Sequence, residues 1–304
     1  MVGLAKGEEM KKLFLLLAAA TLGLSAVTTA EAADTTKFRL CTGNAKLNYY
    51  AAGQHLKRHA PGIEVIESKG SLDNLDKVTA GECDGAFVQS DALLVYSSKN
   101  AKAISALQRA GVLYQEQANL ICNRKAYTSA RMVDLNETYT VAVGPEGSGA
   151  NTTWAAFVMA DKKRYGKVRT TDATGTLALS MVSDGSEAQC ALIITALNAP
   201  FLRNEAPQYA DSIVLVGTDD RDMANGAKDA RGQQVYTYGE IPAGTYKGIQ
   251  PSGMFGSKAV NTIQVDAVFV ANRDWIAAHS SEFEKVLQGF ANAKPDIAKL
   301  VQPK

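Results

Sequence analysis

The alternation of short apolar runs with amphipathic stretches predicts an α/β fold in which most strands are parallel. Between residues 37 and 124, strand-like runs such as KFRLCT alternate with helical stretches such as LNYYAAGQHLKRHA. Parallel neighbours need a long crossover connection, so this alternation is typical of βαβ units. The pattern starts again at about residues 133–140. The chain therefore has two successive α/β halves, which form one long sheet or two lobes with a crevice between them.

Each predicted element has its own sequence signal. Strands are predicted for the runs rich in aliphatic and aromatic residues, which are residues 37–42, 62–68, 84–89, 119–124, 139–144, 191–196, 212–218, 234–241 and 267–274. The main predicted helices are residues 47–60, 71–82, 150–166, 173–185 and 275–293, with another starting near Asp91. Ser71 is expected to cap its helix and Gly185 to end another. Only a last turn is expected after Pro295.

The N-terminal segment has the features of a secretory signal peptide. From Met10 the chain reads MKKLFLLLAAATLGLSAVTTAEA, which combines a lysine pair, an apolar stretch and a small-residue cleavage site. We predict that residues 1–32 form the signal peptide and that Met10 is the true start. The alternative is a retained membrane anchor, which the small residues at the cleavage site disfavour. The mature chain is expected in the periplasm, without a membrane span.

The composition argues against a nucleic-acid partner and leaves open whether the cysteines form disulfide bonds. The formal net charge is +1, and no basic cluster of the kind that binds nucleic acid occurs. Four cysteines are present, and none are spaced as C-x-x-C. They allow three disulfide pairings or, because most lie in apolar runs, buried thiols.

A glycine-rich loop, GPEGSGANTT at 144–153, lies between a predicted strand and a predicted helix. The first amides of a helix are unpaired and carry partial positive charge, so such a loop favours an anion. A nucleotide loop would need a lysine where Ala150 stands, and the dinucleotide pattern lacks its third glycine. We therefore predict a small anion such as a carboxylate, and the alternative is a plain strand–helix turn. The candidate residues are Gly147, Ser148 with its hydroxyl, Gly149 and Ala150.

Further candidate ligand-binding residues lie at the carboxyl ends of predicted strands, where α/β folds bind ligands. They are Thr42, Gly43, Asn44, Gln89, Ser90, Asp91 and Asn198. Tyr49, in the next helix, is expected to border the same crevice. For Asp91 a helix-capping role is the favoured interpretation.

The sequence offers few catalytic or metal-binding groups. No nucleophile motif such as G-x-S-x-G and no H-E-x-x-H zinc motif occurs. The acidic stretch 219–234 lacks the ligand spacing of an EF-hand, and we interpret it as a solvated loop. We expect no enzyme activity, no cofactor and no metal.

Six segments in order carry a family resemblance. They read CTGNAKLNYYAAG (41–53), SKGSLDNL (68–75), GECDGAFVQSDA (81–92), LYQE (113–116), GPEGSGA (144–150) and IPAGTYKG (241–248). Together they resemble the TAXI family of extracytoplasmic solute receptors, which serve TRAP transporters. Two departures concern the site: Ala150 stands where the family has threonine, and residues 189–191 lack the family's acidic residue.

The resemblance implies a two-lobed periplasmic binding-protein fold, type II-like, in which each lobe is a mostly parallel sheet flanked by helices and a hinge joins the lobes. Lobe I would comprise residues 34–124 and 268–304, and lobe II residues 125–267. The resemblance also adds three candidate ligand-binding residues, Gly70, Ser71 and Tyr246.

The function that the resemblance implies is capture of a small anionic solute, an amino acid or an organic carboxylate, in a cleft between the lobes. The partner would be a TRAP-type permease. The alternative partners are an ATP-driven importer or a sensor kinase.

Overall fold

The computed structural model describes residues 37–229 and 232–302. The predicted signal peptide, residues 1–32, lies outside the described residues. Within the described ranges, none of the helices has the length and the apolar composition that crossing a membrane requires.

The described residues form twelve strands. Their bounds are β1 Phe38–Cys41, β2 Ile63–Ile66, β3 Gly85–Gln89, β4 Leu107–Asn123, β5 Thr140–Ala142, β6 Arg169–Thr171, β7 Cys190–Thr195, β8 Ile213–Val216, β9 Tyr236–Ile241, β10 Ser252–Gly253, β11 Gly256–Ser257 and β12 Val260–Asn272.

Nine α-helices accompany these strands in the described ranges. They are α1 Asn48–His59, α2 Ser71–Thr79, α3 Ser90–Lys99, α4 Gly149–Ala160, α5 Lys162–Tyr165, α6 Gly175–Asp184, α7 Arg221–Gly226, α8 Arg273–Ala278 and α9 Ser280–Val301. The end of α6 is confirmed, because Gly185 follows it in the left-handed conformation, with φ 78°.

Ten strands form one mixed sheet, in the order β2-β1-β3-β12-β4-β7-β5-β6, with β8 pairing with β4 and β9 with β12. The pairs of β1 with β2 and β3 are parallel, and so are the pairs of β5 with β6 and β7. The long strands β4 and β12 run antiparallel to their neighbours and connect these two parallel groups. The predicted α/β class is confirmed.

A separate hydrophobic core lies beside each parallel group. Beside β1 and β3, helices α1 and α9 cover a cluster that contains Phe87 and Phe269, whose ring centroids are 5.7 Å apart. In the other group, α4 covers a cluster that contains Phe157 and Tyr236, with centroids 5.6 Å apart. Each core is therefore built mainly from its own α/β segment, although Val95 of α3 belongs to the second cluster and Ala196 to the first. Strands β9 and β12 return late in the sequence to complete them.

All four cysteines form disulfide bonds. Cys122 and Cys190 face each other on adjacent strands β4 and β7, with Cα atoms 4.0 Å apart. Cys41, at the end of β1, is bonded to Cys83, just before β3, with a Cα separation of 6.0 Å. One bond therefore joins the end of β1 to the residue pair before β3, and the other joins β7 to the long strand β4.

Three sequence predictions are wrong in detail. The strand predicted at 119–124 is much longer, because β4 starts at Leu107 and pairs with β12 along its first half. Helix α9 continues through Pro295 to Val301, and the burial of Ile297 holds this last part against the protein. Ser71 is the first residue of α2 and does not cap it.

The segment 219–234 is not the solvated loop that we predicted, because Asp220 caps α7 from a buried position. One carboxylate oxygen accepts hydrogen bonds from the amides of Asp222 and Met223, at 3.1 and 3.2 Å. The other accepts from Arg164 Nη1 at 2.8 Å and from Tyr165 OH at 2.6 Å. Burial opposes ionisation of Asp220, but the hydrogen bonds from Tyr165, Met223 and Arg164 outweigh it, so its pKa is lowered.

We expect Asp220→Ala to lower the free energy of unfolding by about 2–4 kcal/mol, because it removes a helix cap and leaves the Tyr165 hydroxyl unsatisfied. The control Asp211→Ala, at an exposed position, should cost less than about 0.5 kcal/mol, as most exposed substitutions do. Because the folded-state pKa of Asp220 is lowered, its contribution is present above the unfolded pKa and is lost as the pH falls. Urea unfolding at pH 7 and pH 3.5 measures both effects, and an equal difference at the two pH values would contradict them.

Candidate functional site

Three helices begin at one place in the structure. The residues that immediately precede these helices lie close together. They are Gly70 before α2, Gln89 before α3 and Ser148 before α4. The amino ends of helices carry unpaired amides and partial positive charge. Three such ends together favour a bound anion more than any one of them would.

Direct contacts hold these helix ends together. The amide of Gln89 donates a hydrogen bond to Ser71 Oγ at 3.0 Å, which joins the starts of α2 and α3. A Cβ placed on Gly149 would lie 2.9 Å from Gln89 Oε1, so α4 begins against the Gln89 side chain. A Cβ placed on Gly70 would lie 3.3 Å from the carbonyl oxygen of Gly147. The glycine loop therefore packs against residues of the first half of the chain.

Inside the glycine loop, most polar groups bond to one another. Ser148 Oγ accepts a hydrogen bond from the Asn151 amide at 3.4 Å and donates one to the Val143 carbonyl at 3.3 Å, so this hydroxyl caps α4. Gly147, with φ 81°, donates its amide to Asn151 Oδ1 at 3.3 Å. If Ser148 Oγ and the Gly147 amide bound a ligand as predicted, they would have to give up hydrogen bonds that shape the loop.

The amides of Gly149 and Ala150 are the ones left for a ligand. Neither has a hydrogen-bond acceptor within the described part of the chain. They are the first two amides of α4, where the dipole of the helix is felt most strongly. A carboxylate can accept one hydrogen bond from each of them.

A buried carboxyl group, Glu116, lies on the far side of Gln89. Its Oε2 atom accepts hydrogen bonds from Gln89 Nε2 at 3.1 Å and from Tyr49 OH at 3.2 Å. Only 7% of Glu116 is exposed. Burial raises the pKa of Glu116 to about 8, although both hydrogen bonds favour the charged form. Gln89 thus connects the start of α4 to Glu116, whose ionisation is opposed by burial.

A second buried carboxyl group, Asp91, joins the two halves of the chain. Its Oδ2 atom accepts hydrogen bonds from Thr153 Oγ1 at 2.7 Å and from Tyr236 OH at 3.0 Å. Asp91 lies in the first turn of α3 and is not its cap, so the capping interpretation is wrong. Burial raises the pKa of Asp91 to about 6, against the hydrogen bonds from Thr153 and Tyr236.

Several buried polar atoms near these helix ends have no hydrogen-bond partner in the described ranges. They are Gln89 Oε1, Asp91 Oδ1, Tyr114 OH, Gln117 Oε1 and Thr152 Oγ1. Buried polar groups are nearly always hydrogen-bonded in folded proteins. A concentration of such atoms around the junction of two halves is typical of a ligand-binding site.

Comparison with known proteins agrees with this architecture. The sequence model of the NMT1-like family matches residues 40–280, which is most of the chain. The chain belongs to the NMT1-like family. A comparison of the sequence with curated proteins gives no match.

Two solved structures share the fold of this NMT1-like chain. The periplasmic aliphatic sulphonate-binding protein SsuA from Escherichia coli matches with a TM-score of 0.50 and 14% identity, over 85% of this chain and 68% of that chain. A protein from Bordetella bronchiseptica RB50 also matches with a TM-score of 0.50 and 14% identity, over 88% of this chain and 76% of that one. These likenesses show the fold, which is that of periplasmic binding proteins.

The other residues predicted for the site in this NMT1-like chain have varied positions. Thr42 is fully buried, and its hydroxyl donates to the Ile66 carbonyl at 2.9 Å. Gly43 is buried close to Tyr49, whereas Asn44 is exposed and its side chain accepts from the Lys46 amide.

The remaining candidates do not share the contacts of Gln89. Ser90 Oγ donates to the carbonyl of Val235 at 3.4 Å. Tyr246 is buried in a hydrophobic cluster with Ile249, and its hydroxyl has no partner among described residues. Asn198 lies in the turn after β7 and is half-buried. The contacts that join the glycine loop to Gln89 include none of these three.

Four residues of the site were missed by sequence reasoning, namely Tyr114, Glu116, Thr153 and Tyr236. The motif LYQE was noted only for its family resemblance. A signal for buried carboxyl groups was present in the sequence. Asp91 and Glu116 are each an acidic residue within a predominantly uncharged segment.

We expect Asp91→Asn to flatten the pH dependence of folding stability. The folded-state pKa of about 6 exceeds the unfolded value of 3.8, so ionisation of Asp91 lowers stability as the pH rises through this interval. Asparagine does not ionise, so the stability of Asp91→Asn relative to wild type should rise by about 1–3 kcal/mol between pH 4 and pH 7. Chemical denaturation at both pH values measures this change. The exposed control Asp172→Asn should keep the wild-type profile, and an unchanged profile in Asp91→Asn would refute the assignment.

Proposed function

We propose that this chain is an extracytoplasmic receptor that captures a small solute bearing a carboxylate, either an amino acid or an organic carboxylate. The observation that carries the proposal is the convergence of three helix amino ends with the unbonded amides of Gly149 and Ala150. A nucleotide phosphate fits less well, because no lysine follows the glycine loop. The shared fold of periplasmic binding proteins and the two disulfide bonds support a location in the periplasm.

The solute would lie between two lobes. We assign residues 34–124 and 268–304 to lobe I and residues 125–267 to lobe II. On this division Gln89 and Glu116 belong to lobe I, whereas Gly149 and Ala150 belong to lobe II. Strand β4 pairs with β12 up to Gln117 and with β7 from Gln117 onwards. This change supports a boundary between the lobes near the middle of β4, earlier than residue 124.

Closure of the lobes would be the mechanism of capture. The hydrogen bonds of Asp91 to Thr153 and Tyr236 cross from lobe I to lobe II. Strands β4 and β12 pass between the lobes and can bend as a hinge. A solute that contacts both lobes only when they are close together shifts the population towards the closed form.

The receptor would deliver its solute to a TRAP-type permease, as members of the TAXI family do. The six motif segments quoted above support this partner. Capture and release need no covalent chemistry. No enzyme activity, no cofactor and no metal are therefore part of this proposal.

We expect Ala150→Pro to weaken carboxylate binding by about tenfold to a hundredfold, because proline removes one amide that donates to a charged group. Proline is tolerated in the first turn of a helix, so folding should persist. The matched control is Thr176→Pro, at the equivalent second position of α6. Isothermal titration against a panel of amino acids and organic carboxylates measures both variants, and equal affinity in Ala150→Pro and wild type would exclude the amide site.

The permease partner can be tested separately. When the receptor and the permease encoded beside it are reconstituted in vesicles, solute uptake should follow an imposed ion gradient and should not require ATP. Uptake that requires ATP would instead identify an ATP-driven importer, and the TRAP assignment would be wrong.

A further inference from the structure

A cavity of about 340 Å³ lies beside α3 and is separate from the glycine loop. Its walls come from α3, from the start of β4, from β12 and from the segment before β9. None of residues 144–153 lines it, and of the candidate solute-binding residues Ser90 alone does. Small-molecule sites in proteins have volumes of about 300–1,000 Å³. The cavity is therefore large enough for a ligand of its own.

The cavity lies between two hydrophobic cores. Leu94 and Val235 pack against the core that α4 covers, whereas Leu93 and Ile104 pack against another core, which contains Val270. All of them except Val270 are only half-buried, and all five line the cavity. An apolar group in this gap would remove these side chains from water, which the hydrophobic effect favours.

The exposure of the lining residues differs between the inner wall and the rim of the cavity. Leu107 and Val270 are buried, whereas Arg109 and Arg273 are exposed. Apolar side chains therefore form the inner wall, and guanidinium groups lie at the rim. A ligand that matches this arrangement has an apolar body and a charged head.

The rim favours a negatively charged head. Arg109 is paired with Asp266 at 2.9 Å, and Asp229 Oδ1 accepts a hydrogen bond from a backbone amide at 2.9 Å. Arg273 donates from Nε to the Leu107 carbonyl at 3.0 Å, and neither of its Nη groups has an acceptor in the described part of the chain. A guanidinium group with two free nitrogen donors can hold a carboxylate or a sulfonate through two hydrogen bonds.

We propose that this cavity binds an amphipathic monoanion, with its apolar body between the two cores and its carboxylate or sulfonate head on Arg273. A dry cavity of about 150 Å³ holds one benzene molecule, so this cavity has room for an apolar body of about eight to twelve carbon atoms. The site goes beyond the proposed receptor function, because it uses neither the glycine loop nor Gln89.

The ligand class is tested by isothermal titration with octanoate and octan-1-ol, which share a chain length and differ in charge. Octanoate should bind the wild-type protein at least about tenfold more tightly, the change expected for a hydrogen bond to a charged group. Arg273→Gln should weaken octanoate binding by about tenfold, and the exposed control Arg131→Gln should not. Equal wild-type affinity for the two compounds, or full octanoate affinity in Arg273→Gln, overturns the proposal.

The location is tested by filling the cavity. Ser97 lines it and Ser98 does not, although both hydroxyls donate to a carbonyl three residues earlier in α3, at 2.8 and 2.7 Å. Ser97→Phe should weaken octanoate binding at least about tenfold because its ring occupies the cavity, whereas Ser98→Phe should bind octanoate as the wild type does. A thermal melt checks that Ser97→Phe is folded, and Arg273→Gln tests the same site from an exposed position if it is not.

The variant Ala150→Pro separates this cavity from the proposed solute site. It should bind octanoate with wild-type affinity. Loss of octanoate binding in Ala150→Pro, with full binding in Ser97→Phe, would place octanoate at the glycine loop and overturn the cavity site. Absence of octanoate binding to the wild-type protein also overturns it. Neither result contradicts the proposed receptor function, which concerns smaller solutes.

Discussion

The candidate site depends on Gln89, whose backbone and side chain contact the starts of two helices and a buried carboxyl group on β4. Its amide bonds to Ser71 at the start of α2, its side-chain nitrogen bonds to Glu116 on β4, and its side-chain oxygen lies against Gly149 at the start of α4. Since only 3% of Gln89 is exposed, these contacts are made without competition from water. Gln89 therefore links three helix ends and one buried carboxyl group, in addition to the Gly70–Gly147 contact and the hydrogen bond of Thr153 to Asp91.

The site combines opposite electrostatic tendencies at short range. Helix amino ends favour negative charge, and burial of Asp91 and Glu116 opposes it, which is why the pKa values of both are raised. The candidate site therefore places helix amides without acceptors in the described ranges close to two carboxyl groups whose ionisation is opposed by burial.

The parts of this structure that the sequence predicted are those determined locally. A strand followed by a glycine-rich turn and a helix is recognisable from adjacent residues, so the loop before α4 and the position of Gln89 could both be predicted. Glu116 could not, because it lies in the polar stretch QEQ of a strand whose first half is held by residues distant in the sequence, through pairing with β12 and burial of Tyr114. Asp220 was missed for the same reason, since its partners Arg164 and Tyr165 are distant in the sequence.

The similarity of the glycine loop to nucleotide-binding loops has a structural cause that does not involve phosphate. At position 149 a Cβ would lie 2.9 Å from Gln89 Oε1, so a larger residue there would displace the end of the Gln89 side chain. Gly147 has a positive φ because the chain must turn before Ser148 can cap α4. Glycine at 147 is therefore explained by the turn, and glycine at 149 by the close approach to Gln89, without reference to a ligand. The contact between Gly149 and Gln89 joins the two halves of the chain at the start of α4, where the amides of Gly149 and Ala150 have no acceptor in the described ranges.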